Sequence, residues 1–142
     1  MSKRNEEKLL AYLEKEKLDA FFVSKEVNVR FISDYTGDSS FLLLTGSGKK
    51  FFITDPRFSE QASIECPEYE VIIWRKPGIA GLTVGDAIGE LAKREGLKQV
   101  AFESDSVSYE TFRGLQQHAG VELVPVSGVI DNLRTIKTPQ EI

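Results

Sequence analysis

The sequence predicts an α/β fold in three layers, a mixed β-sheet of about six strands with helices on both faces. Two observations lead there. Apolar runs on either side of a glycine-bearing turn near Gly46 demand an antiparallel strand pair. A later alternation of strand-like and helix-like segments demands parallel neighbours. A third observation concerns extent: 142 residues, 41% of them apolar and 28% charged, suit one ordinary globular domain.

Residues 2–17 predict a helix, because Leu9, Leu10 and Leu13 form a narrow apolar stripe among Glu and Lys. The run Ala20-Phe21-Phe22-Val23 within residues 19–24 reads as a buried strand. Residues 28–35 are ambiguous, since Val29, Phe31 and Ile32 suit one helical turn or a short strand; residues 36–40 have turn composition. Phe41-Leu42-Leu43-Leu44 and Phe51-Phe52-Ile53 flank residues 45–50 and read as a β-hairpin. Asp55 and Pro56 then open a helix as N-cap and first residue, with Phe58 and Ala62 on its inner face and Cys66-Pro67 closing it.

Residues 69–74 predict a strand and residues 75–78 a loop. Thr83 caps a helix with Val84, Ile88, Leu91 and Ala92 at core spacing, which Gly96 ends. Residues 99–102 form a strand, residues 109–118 a helix stopped at Gly120, and residues 121–124 a last strand. Residues 127–136 read as a linker with one short helical turn. Thr138-Pro139-Gln140-Glu141 then spells a capping box, a start signal with only Ile142 behind it. The expectation is an N-terminal domain, residues 1–126, cut from a larger protein inside its junction, residues 127–142.

Charge and cysteine usage narrow the function classes. The net charge is −4, and Lys and Arg recur singly or in short pairs, so no clustered basic surface for nucleic acid is expected. No apolar run approaches the ~20 residues that span a bilayer, and residues 1–7 lack a signal-peptide core. The single cysteine, Cys66, has no internal partner for a disulfide, which points to the cytoplasm.

The catalytic inventory is thin. His118 is the one histidine, placed near a helix C-terminus where the dipole favours it. Cys66 reads as a small apolar filler. Gly46-Ser47-Gly48 sits in a hairpin, not between strand and helix, so it makes no phosphate site. The glycines of residues 78–85 read as a flexible connection. Asp86 is explained by the Thr83 cap, and Glu103 and Asp105 by their turn after a strand, so no metal site is expected. One polar cluster remains: Arg30, Asp34, Tyr35, Thr36, Asp38, Ser39 and Ser40, with Arg57 after the hairpin. Arg57 opposes the dipole of its helix and predicts a carboxylate partner. Either an Arg–Asp pair ties this loop to the sheet, or the loop presents charge and a phenol to a ligand or another subunit.

Residues 28–40, then Thr54-Asp55-Pro56-Arg57-Phe58 with Gln61-Ala62, resemble the N-terminal domain of the creatinase/prolidase family, which includes aminopeptidase P and Xaa-Pro dipeptidase. The family wording is close to N-V/I-R-Y-L-S/T-G-F-T-G-S, followed by a strand pair and T-D-x-R-Y. Residues 133–142 are similar to its L-R-x-x-K-S/T-x-x-E-I/L, which leads into the first helix of the catalytic domain. Asp34 stands where the family often has Gly, Asp38 where small residues are frequent, and Pro56 where Gly is common, so this loop is more acidic.

The resemblance implies a domain with a ribonuclease H-like motif, and a parent that is a homodimeric peptidase cutting between an N-terminal residue and proline. Two divalent ions (manganese, cobalt or zinc) bridged by hydroxide would serve it. Their ligands, two Asp, one His and two Glu, belong to the C-terminal domain; none maps onto this chain, and His118 is not that histidine. The N-terminal domain is expected to be non-catalytic, to make dimer contacts and to wall the active-site cleft. Arg30, Asp34, Tyr35, Asp38, Arg57 and Trp74 are the candidates for that work. Partners implied are its own C-terminal domain, a second copy and short proline-containing peptides, without nucleic acid or membrane. The alternatives are a protein-binding domain of an inactive relative, or the same domain of a creatinase-type amidinohydrolase.

Overall fold

The computed structural model describes residues 2–37, 40–73, 84–116 and 122–135. Helix α1 (Ser2–Glu16) leads to strand β1 (Ala20–Val23), helix α2 (Glu26–Ser33) and the hairpin β2 (Ser40–Thr45) and β3 (Lys50–Thr54). A single 3-10 turn (Pro56–Phe58) and α3 (Ser59–Glu65) precede β4 (Glu70–Ile73). Then come α4 (Val84–Glu95), β5 (Gln99–Glu103), α5 (Tyr109–Gln116), β6 (Glu122–Val126) and α6 (Val129–Thr135). The six strands form one sheet in the order β4-β3-β2-β1-β5-β6. β2 pairs antiparallel with β1 and β3, while β3–β4, β1–β5 and β5–β6 pair parallel. The mixed sheet of the α/β expectation is therefore present.

Alternation along β1 explains the layers. Phe21 and Val23 face one side, with Leu9 and Leu13 of α1, Val29 and Ile32 of α2, Ala62 of α3 and Ile130 of α6. Ala20 and Phe22 face the other, with Val84, Ile88, Leu91 and Ala92 of α4 and Phe112 of α5. A strand buried on both faces must be apolar throughout, as this one is. Burying an aromatic or Leu side chain contributes about 1.5–3 kcal/mol. Phe21, Phe22, Leu42, Leu43, Leu44 and Phe52 have no exposed surface, so the middle strands dominate the core.

Three local differences from the sequence reading have physical causes. The ambiguous residues 28–35 are mostly helix: Asn28, Val29, Ile32 and Ser33 make one buried face of α2. Asp34 then closes it in the left-handed region at φ 64°, donating its N–H to Arg30 O, a conformation that Gly and Asp tolerate. The helix expected after Asp55 begins as the 3-10 turn, although Asp55 does cap it, accepting from the Arg57 N–H. Residues 127–136, read as a linker with one short helical turn, hold that turn as α6, and its Ile130 is fully buried in the core. The Thr83 cap, the loop at 75–78, His118 and the capping box at 138–141 lie outside the described residues.

Candidate functional site

Because only β2 runs against its neighbours, the carboxyl ends of β1, β3, β4, β5 and β6 share one edge of the sheet, where β2 begins. After β1 the chain crosses to α2 on one face; after β5 it crosses to α5 on the other. Between two such strands an α/β sheet leaves a crevice, the usual seat of a ligand.

Here the protein fills that crevice with its own side chains. Glu103, 5% exposed at the end of β5, accepts at Oε1 from the backbone N–H groups of Ser24 (2.8 Å) and Lys25 (3.0 Å). Its Oε2 accepts from Asn28 Nδ2 at 2.5 Å. A carboxylate thus occupies the anion position ahead of α2 that a phosphate takes in nucleotide-binding folds. Burial pushes the Glu103 pKa up, against hydrogen bonds from Lys25, Asn28 and Ser24 that pull it down. Asn28 extends the network to α6 through Asp131 Oδ1 (3.2 Å) and through Arg134 Nε, which donates to Asn28 Oδ1 (2.9 Å). Lys25 Nζ donates to Asp131 Oδ2 (3.0 Å) and Asp105 Oδ2 (3.1 Å). Hydrogen bonds from Arg134 and Lys25 hold the Asp131 carboxyl down at about 2.

Among the described residues, those singled out from sequence take different positions. Arg30 and Asp34 are exposed at the end of α2. Tyr35 corrects the expectation of a presented phenol: it is 1% exposed, its ring edge-on to Phe52 at 4.7 Å, because the space between α2 and β3 needs a large apolar body. The next residue, Thr36, donates its N–H and hydroxyl to Glu65, tying the loop to α3. Arg57 has the carboxylate partner its position predicts. That partner is its own cap, Asp55 Oδ1, at 3.0 Å from Nε, and no hydrogen bond or ion pair joins Arg57 to Asp34. Asp38 and Trp74 lie outside the described residues. Cys66 is buried, and desolvation pushes its thiol up to about 11, so it is inert. Among the described residues no group of three or more His, Cys, Asp or Glu could hold a metal ion.

Sequence reasoning took Glu103 for a turn residue and gave Asn28, Asp131 and Arg134 no role. A signal existed. Asn28 opens the first matched stretch and Arg134 stands in the junction stretch, and an Asn on the buried face of α2 needs partners.

A mixed sheet layered on both sides, with the chain's own carboxylate seated in the crevice between β1 and β5, defines an α/β module. The creatinase/prolidase N-terminal domain family matches residues 6–136, and this chain belongs to it. The chain is 31% identical over 126 residues to the uncharacterized peptidase YqhT of Bacillus subtilis, a match covering 88% of this chain and 34% of that protein. It therefore spans about a third of that relative's length. An Xaa-Pro dipeptidase from Bacillus anthracis superposes with a TM-score of 0.82 at 27% identity, over 99% of this chain and 38% of that one. The N-terminal domain of the cytoplasmic peptidase PepQ from Mycobacterium tuberculosis superposes with a TM-score of 0.79 at 28% identity, over 92% and 98%.

Proposed function

We propose that the chain is the non-catalytic N-terminal domain of an Xaa-Pro peptidase, an aminopeptidase P or a proline dipeptidase. It contributes dimer contacts and walls one side of a cleft whose dinuclear metal site belongs to a C-terminal domain beyond these residues. The observation that supports this best is the near-complete overlap with a solved N-terminal peptidase domain, 92% of this chain on 98% of that one. Two divalent ions in the C-terminal domain (manganese, cobalt or zinc) supply, when bound, a hydroxide nucleophile and Lewis acidity. The described residues here have no donor set for them. Arg30, Asp34 and Arg57 are exposed charges suited to a wall or a subunit contact, and Asp38 and Trp74 complete that set of candidates. A cytoplasmic site of action accords with a lone unpaired cysteine and with the name of the mycobacterial relative. No described helix is long and apolar enough to cross a membrane.

The test compares two proteins. The 142-residue chain is expected to hydrolyse no Xaa-Pro dipeptide with or without manganese, and the full-length product of its reading frame is expected to do so. Metal-dependent cleavage by the shorter chain overturns the proposal. A full-length product inactive with manganese, cobalt and zinc also overturns it, in favour of the binding-domain alternative.

A further inference from the structure

Helix α6 has seven residues, too few to hold their shape alone, so its attachments set where the backbone leaving residue 135 points. Ile130 anchors it in the core with no exposed surface. Val129 packs partly buried against the same cluster, so these apolar contacts lie in the first turn and leave the last turn free to swing. The polar contacts remove that freedom. Arg134 Nη2 donates to Asp131 Oδ1 at 2.8 Å while Arg134 Nε donates to Asn28 Oδ1 at 2.9 Å. Asn28 Nδ2 donates to the same Asp131 oxygen at 3.2 Å, and Lys25 Nζ holds the other at 3.0 Å. Asn28 is itself fully buried, its amide fixed from behind by Glu103. Well-packed apolar residues often stabilise a fold as well as a buried polar network; what the network adds is a unique register.

We propose that Asn28 and Arg134 are positioning residues: they fix the direction in which the polypeptide leaves this domain, and so the angle to the domain that follows. The inference rests on the peptidase reading, in which that angle sets the width of the cleft. In the full-length protein, a spin label at Ile64→Cys, 72% exposed on α3, and a second in the following domain report the angle. The native Cys66 is buried and stays unlabelled. Arg134→Gln is expected to broaden the distance distribution, and Arg134→Lys, which keeps a donor near Asp131, to narrow it again. The ratio of kcat/KM between an Xaa-Pro dipeptide and a longer Xaa-Pro peptide is expected to change about threefold or more, with kcat on the preferred substrate within about twofold. An unchanged distance distribution in Arg134→Gln overturns the proposal. Arg134 is one-third exposed, so this variant decides even if Asn28→Ala fails to fold. A wild-type protein without peptidase activity removes the peptidase reading, while the distance measurement still decides the positioning role.

Discussion

A Cβ built on Gly37 would lie 2.5 Å from the Tyr35 hydroxyl oxygen and 2.6 Å from its Cζ. The glycine is thus required by space, because the buried ring of Tyr35 lies against the backbone that follows it. Gly37→Ala must displace that ring from Phe52, and overpacking of this kind costs about 1–3 kcal/mol. A urea midpoint lowered to match is the expected result; an unchanged midpoint would show that the loop yields freely. Tyr35→Phe in the same chain should not rescue it, since Cζ and Cε2 (2.9 Å) remain in the way. None of this was legible in the sequence. Tyr35 stands among polar residues there, and its partner Phe52 comes from a strand that folding brings to it.

Local chemistry was the part of each element most readily read in advance. Asp55 and Pro56 announce a cap through contacts within three residues, and the cap is present, with Asp55 Oδ1 accepting from the Arg57 N–H at 2.9 Å. Asp55→Ala is expected to cost about 0.5–2 kcal/mol, the range for a lost N-cap. Arg57→Ala is expected to cost less than about 0.5 kcal/mol, because the guanidinium end of the pair is exposed and screened by solvent while the buried Asp55 carboxylate keeps its bond from the Arg57 N–H. Thermal unfolding of the two variants separates the contributions; equal losses would mean that the guanidinium, not the cap, holds this turn. The hairpin was legible for the same reason, its turn and strands being contiguous. Helix α2 was not, since Val29, Phe31 and Ile32 fit either periodicity, and only packing on β1 and β2 selects the helical one. Helix α6 was legible only as a short helical turn in a linker, because a seven-residue segment has little propensity of its own and its packing is tertiary.

At the scale of the whole molecule, the layers and the mixed sheet followed from the order of apolar runs, but the polar network did not. Glu103 and Asn28 are 75 residues apart, and Arg134 and Asn28 are 106 apart, so no local pattern pairs them. That network joins the first motif of the chain to its last described helix, so α6 is packed and hydrogen-bonded onto the elements before it. Ending the chain at residue 127 would empty the Ile130 site, a loss on the scale of about 2–5 kcal/mol for a buried Ile. It would also leave Asn28 Oδ1 without the Arg134 donor, adding about 1–3 kcal/mol for an unsatisfied buried group. Residues 1–135 are therefore expected to unfold in one transition at a clearly higher urea midpoint than residues 1–127, with similar m-values. Coincident midpoints would return residues 127–135 to the status of a linker and place the domain boundary at residue 126. A lower midpoint in the shorter chain carries the boundary past α6, so that whatever follows is joined to this domain through a rigid element.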